Sequence, residues 1–156
     1  GFQAGLSWLT VLRKRDRFRE VFAGFDPAVV ARYGETEVEL LLGDAGIIRH
    51  RGKIESTINN AARCLELAEQ FGSLAGWLWS WEPDQPVREI DGSIPASTPT
   101  SAALSRDLKK RAWSFVGPTT IYASMQAVGM VNDHLPDCWA HPAVEAERAA
   151  LLRPIR

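Results

Sequence analysis

Two cysteines, Cys64 and Cys138, are all the thiol this chain of 156 residues contains, and they stand far apart. That usage argues against a disulfide framework and for a reducing compartment. No leader-like segment opens the chain, and no apolar run approaches the roughly 20 residues that a bilayer span needs, so a soluble, cytoplasmic protein without a membrane partner is expected. A formal net charge of −1 excludes a polycation, and the totals alone do not announce a nucleic-acid binder. Strand-like alternation is scarce too. It occurs only at Trp77, Trp79 and Trp81, and one strand cannot form a sheet, so this stretch is expected to be a short helix whose tryptophans cover the core. No repeat and no sharp change of composition divides the chain.

What is present is sorted charge and helical periodicity. Cations gather at 13–19, 49–53 and 106–111, acids at 35–39, 66–91 and 145–147, which permits one basic face on a neutral protein. Ser7 suits a helix cap, Asp26 with Pro27 reads as a cap followed by proline at the first helical position, and Thr36 with Glu39 reads as a capping box. A long helix is expected from Gly52 to Phe71, burying Ile54, Ile58, Ala61, Ala62 and Leu65, with Cys64 beside them as a small hydrophobe. Arg49, His50, Arg51 and Lys53 crowd its start, where the dipole disfavours cations. A DNA phosphate, a buried carboxylate or plain solvent screening would each relieve that cost. Residues 83–100, rich in proline and small polar side chains, read as a long loop, Ser101 as the cap of a helix running to Trp113, and 141–152 as a terminal helix. The fold class is therefore all-α: one helical domain over 1–156, with 139–156 as a C-terminal extension.

Residues 111–138, RAWSFVGPTTIYASMQAVGMVNDHLPDC, carry the strongest local pattern. An apolar run, 113–116, breaks at Gly117 and Pro118 and is followed by Thr119 and Thr120, which predicts a helix-hairpin-helix element over 111–130. The second helix would dock through Ile121, Met125 and Val128. Amides at a helix start lack internal partners and sit at the positive end of the dipole, so Gly117, Thr119 and Thr120 form a candidate phosphate seat. Arg106, Lys109, Lys110 and Arg111 precede it as supporting cations. An ordinary helical hairpin with a solvated basic face is the plainer alternative.

Three stretches in order, GFQAGLSWLTVLRKR, DAGIIRHRGKI and FVGPTTIYASMQAVGMVNDH, resemble the bacterial 3-methyladenine DNA glycosylase I family, related to the helix-hairpin-helix repair glycosylases. The resemblance covers residues 1–138. It implies an enzyme that removes alkylated adenine from double-stranded DNA, acting as a monomer, and it places Trp8 and Tyr122 at the flipped base. Ala4, Gly5 and Leu6 resemble the loop that enters the gap in the duplex. Ala123 departs from the serine expected there, which puts one hydrogen bond in doubt. Asp133 invites comparison with the catalytic aspartate of related enzymes, but a cap for the segment holding His134 is the favoured role. The family's pocket glutamate would precede Gly1, so a missing N-terminal segment is expected, the catalytic group is unassigned, and this stretch alone is expected to be inactive. His134 and Cys138 match the family's second pair of ligands to a structural zinc, and the first pair would also lie upstream. By themselves, a histidine and cysteine four apart could share a metal on a helical face or simply pack.

Two other classes compete with the glycosylase. One is a non-catalytic helix-hairpin-helix module that binds DNA without cleaving it. The other is a zinc-stapled helical interaction domain without nucleic acid. Release of methylated adenine separates the first reading from both.

Overall fold

The computed structural model describes residues 1–83 and 93–154, and among them every regular element is helical, as expected. In order these are α1 (Trp8–Leu12), α2 (Arg15–Val21), a 3₁₀ turn (Ala23–Phe25), α3 (Pro27–Val30), α4 (Glu35–Gly43), α5 (Arg51–Phe71), α6 (Leu74–Trp79), α7 (Pro99–Lys110), α8 (Pro118–Ala127) and α9 (Ala140–Ala150). No described helix is long and apolar enough to cross a membrane. The loop expected over 83–100 falls in its middle on residues outside those described.

The chain forms two compact units. The first comprises Gly1–Gln70 and Leu108–Val116. Its core joins Phe18 and Phe22 of α2, Val30 of α3, Val38 and Leu41 of α4, Ile47, and Ile54 and Ala61 of α5. Phe2 packs on this core with its ring 4.3 Å from that of Phe18. Each large side chain fully removed from water here is worth about 1.5–3 kcal/mol, so the short helices are held by burial more than by their own propensity.

Local chemistry sets the helix starts. Ser7 Oγ accepts from Thr10 N at 3.3 Å, and Asp26 Oδ1 accepts from Ala28 N at 2.8 Å ahead of Pro27, both as expected. The expected capping box at Thr36 and Glu39 is corrected. Gly34 is the cap position of α4, and its N donates to Glu37 Oε2 at 2.7 Å. Glu39 instead joins Glu35 and Glu55 around Arg51. Exposed carboxylates thus answer the cation at the start of α5, and the hydrogen bond from Arg51 holds the Glu35 carboxyl below its usual range. His50 caps α5 by accepting from Lys53 N through Nδ1 at 3.2 Å.

The DAG of the middle motif has a structural job. Asp44 accepts from Gly46 N at 2.7 Å and from Arg17 Nε at 2.7 Å. A Cβ on Gly46 would lie 2.7 Å from Arg17 Cγ and 2.9 Å from Asp44 Oδ1, so only glycine fits under that ion pair. On α5, Ile54 and Ala61 are buried as expected, but Leu65 is exposed and Leu67 is buried in its place. Burial pushes the Cys64 thiol up to about 11, which keeps it a protonated, inert packing group.

The second unit comprises Phe71–Asp107 and Gly117–Arg156. Ser73 Oγ caps α6 through Gly76 N at 3.1 Å, and Trp77 is buried against the rings of Phe71 and Trp81. Trp77 and Trp79 are therefore helical, and Trp81 stands in the turn that follows. At the start of α7, Thr98 and Ser101 cap reciprocally: Ser101 N donates to Thr98 Oγ1 at 3.1 Å and Thr98 N donates to Ser101 Oγ at 2.9 Å. Thr98 is thus the cap and Ser101 its partner inside the first turn, one turn earlier than the sequence suggests. On α8, Ile121, Tyr122 and Met125 are buried, whereas Val128 follows the last helical residue and is exposed. Near the C-terminus, Glu82 is bridged by Arg153 and Arg148, and the Arg153 hydrogen bond holds its carboxyl low.

Candidate nucleic-acid interface

Residues 1–6 make two successive turns, with Ala4 N donating to Gly1 O at 3.0 Å and Leu6 N to Gln3 O at 2.9 Å. Gly5 has φ +72°, a left-handed conformation that glycine adopts without strain. The turn is pinned from α5. Lys53 Nζ donates to Phe2 O at 3.0 Å and to Ala4 O at 2.6 Å. Beyond it, Leu6 is exposed, and Trp8 is 56% exposed on α1, a helix with no buried residue. Among the described residues Trp8 is not part of a packed core. The expected duplex-entering loop, Ala4, Gly5 and Leu6, and the expected base-contacting Trp8 lie on one short stretch.

The expected helix to Trp113 stops earlier, at Lys110. Ala112 N bonds Lys109 O at 3.0 Å and Trp113 N bonds Leu108 O at 3.0 Å, a Schellman end with Ala112 in the left-handed position at φ 62°. Glycine is the usual residue there, and its absence hides the stop in the sequence. The following turn is clasped onto α5 by neutral side chains. Asn60 takes both backbone groups of Ser114, accepting from N at 3.0 Å and donating to O at 2.9 Å. Ser56 Oγ donates to Ser114 O at 3.1 Å, and Asn59 Nδ2 donates to Ala112 O at 2.8 Å. Lys109 and Lys110 are exposed in the last turn of α7, where cations suit the dipole, while Arg111 donates to Gln70 Oε1 at 2.7 Å. Arg63, Glu66, Gln70, Lys110, Arg111 and Trp113 line a hollow of about 280 Å³.

In the second unit, Gly117 is the cap residue of α8 and supplies no side chain, and Pro118 is the first helical residue. Thr119 and Thr120 stand in the first turn, Thr119 exposed. A Cβ on Gly117 would meet nothing within 4 Å, so the approach to this helix start is open. Tyr122 is buried, and its hydroxyl donates to Asp133 Oδ2 at 2.7 Å. Asp133 also accepts from Gln126 Nε2 at 2.7 Å. The capping role expected of Asp133 belongs to its neighbour: Asn132 Oδ1 accepts from His134 N at 3.3 Å.

The zinc expectation is corrected. Among the described residues no three His, Cys, Asp or Glu side chains are grouped to hold a metal ion. His134 Nδ1 and Cys138 Sγ lie 3.5 Å apart, a hydrogen-bond separation for sulfur.

Ser56 and Asn60, which extend Lys53 into a polar stripe on α5, are what sequence reasoning missed. The spacing of three and four within an apolar helix face is the one available signal.

A family model described as methyladenine glycosylase matches residues 1–141. DNA-3-methyladenine glycosylase 1 of Escherichia coli (strain K12) is 48% identical over 145 residues, covering 91% of this chain and 78% of that protein. A crystal structure of 3-methyladenine DNA glycosylase I matches with a TM-score of 0.82 at 48% identity, over 90% of this chain and 79% of the other. A structure of the Staphylococcus aureus 3-methyladenine DNA glycosylase I, described as giving the basis of 3-methyladenine recognition, matches with a TM-score of 0.83 at 33% identity, over 90% and 77%. A match of this length, with half the aligned residues shared at best, means that the chain belongs to the methyladenine glycosylase family.

Proposed function

We propose that this chain acts in base-excision repair, hydrolysing the N-glycosidic bond of 3-methyladenine in alkylated double-stranded DNA. A base inside a duplex is out of reach, so the damaged nucleotide must be turned out of the stack and held on a surface that fits it. Methylation at N3 leaves the purine cationic. The bond from N9 to the sugar C1′ then breaks with its electron pair departing onto a base that becomes neutral, and water supplies the oxygen that C1′ gains and releases a proton to solvent. Strong acid catalysis is unnecessary, and an aromatic face attracts the cation before cleavage.

The observation that carries this reading is Trp8, more than half exposed and standing just beyond the pinned turn of Ala4, Gly5 and Leu6. Trp8 stacks on the extruded purine, and the turn fills the space left in the duplex. The amides of Thr119 and Thr120 at the open start of α8 take a phosphate, and Lys109 and Lys110 take phosphate charge at the end of α7, which are the expected uses of a helix-hairpin-helix element. Phosphate contact gives affinity that falls steeply with salt and depends little on sequence. The protein works as a monomer in the cytoplasm.

The test is release of free 3-methyladenine from methylated duplex DNA by the full-length protein, followed by chromatography. Release is expected. Salt-dependent DNA binding with no release of base would instead select the non-catalytic module.

A further inference from the structure

Lys53 is nearly buried, and among the described residues its ammonium forms no ion pair with a carboxylate. Its ammonium donates to two carbonyl oxygens, Phe2 O at 3.0 Å and Ala4 O at 2.6 Å, and burial lowers its pKa from the usual lysine value. Taking a charge out of water for two neutral acceptors is costly, and an apolar side chain of the same length would fill the space more cheaply. Stability therefore does not account for it. What the ammonium does is geometric. It ties the carbonyls on either side of Gln3, closing the first turn just before Gly5 takes its left-handed conformation and Leu6 turns outward.

We propose that Lys53 is a positioning residue for base release: by tethering Phe2 O and Ala4 O it pre-forms the Ala4–Gly5–Leu6 turn and sets the bearing of Trp8. The inference rests on the reading that this turn enters the duplex and Trp8 receives the base. A turn already in its working shape enters DNA without an ordering cost at that moment. Losing the tether lowers the fraction of encounters in which the base is held in place for bond breakage. Phosphate contacts elsewhere are untouched, so first association with DNA stays as it is.

The experiment compares the full-length wild-type protein with Lys53→Met, which keeps the stem and removes the charge, and Lys53→Gln, which keeps a donor. Three quantities are read: single-turnover release of 3-methyladenine, affinity for undamaged duplex DNA, and thermal unfolding. Lys53→Met should slow release by about 10- to 100-fold, the scale of a misplacement of about 1 Å. Lys53→Gln should fall between it and wild type. Affinity for undamaged DNA should stay within about twofold and the unfolding midpoint should not fall. Unchanged release in either variant overturns the role of Lys53, as does a loss of DNA affinity or of folding that matches the loss of rate. No release by the wild-type protein would instead remove the functional reading beneath it.

Discussion

Two segments are docked on α5, and they are held in opposite ways. Residues 1–6 are tied by one charged side chain, Lys53, and their left-handed residue is a glycine, Gly5. Residues 111–116 are tied mainly by neutral side chains, Ser56, Asn59 and Asn60, with Arg111 bonded to Gln70 as well, and their left-handed residues are Ala112 and Phe115, at φ 62° and 54°. A non-glycine residue in that region costs about 1–2 kcal/mol, so the second segment carries strain that the first avoids. The lesson is that the strained turn is over-determined by several bonds, whereas the relaxed turn has its Phe2 ring on the core and its main chain tied to α5 by one side chain. That tether is the one a substitution can release without unfolding the protein.

Removing an anchor from the strained side should cost the most stability. Asn60→Ala leaves Ser114 N without its bond and Ser114 O with Ser56 alone, and a loss of about 1–3 kcal/mol in chemical denaturation is expected from the abandoned amide. A loss below about 0.5 kcal/mol would show that Ser56 and water already suffice and that the clasp is not what holds the strain.

Relieving the strain should act in the other direction. Ala112 is exposed, so Ala112→Gly loses no packing, and relief of the left-handed cost outweighs the extra chain entropy by about 0.5–1 kcal/mol. Raised stability by calorimetry sharpens the comparison, and a clear loss breaks it.

The smallest effect concerns the charge on the relaxed side. Because burial lowers the Lys53 pKa, the unfolded chain holds this proton more tightly than the folded one. Stability contributed at this position therefore rises as pH climbs through the folded-state pKa toward the usual value of 10.5, and it is absent from Lys53→Met. Unfolding of the two proteins measured from neutral to alkaline pH should show wild type gaining on the variant; parallel curves would mean the ammonium is not desolvated in the way its burial implies.

Much of this molecule was legible from the sequence because the signals were local. Ser7, Asp26 and Pro27 sit where cap chemistry puts them, and the helical class follows from the periodicity of most segments. Misreadings arose where an unusual residue fills a familiar position. Glycine caps α4, so the capping template slid onto Thr36. Alanine ends α7, so its stop passed unnoticed, while α8 ends with the same bonds around Gly129. Leu65 and Val128 fit their stripes by spacing but stand in solvent, because α5 turns Leu67 inward and α8 ends before Val128. The tethers were illegible for a different reason. Lys53 and Asn60 bond main-chain atoms 49–54 residues distant, and a main-chain partner leaves no mark in side-chain pattern. His134 and Cys138 show the converse case, a spacing that matches a metal site where no group of three possible ligands forms among the described residues.

The central claim is that the exposed tryptophan beyond the relaxed turn receives the damaged base. Single-turnover release of 3-methyladenine from methylated duplex DNA by Trp8→Ala, set against wild type and accompanied by thermal unfolding, tests it most directly. Base-to-aromatic stacking is worth about 1–3 kcal/mol, so the rate should fall by about 5- to 150-fold, while the unfolding midpoint holds because Trp8 buries little. A variant that releases the base at the wild-type rate would contradict the account.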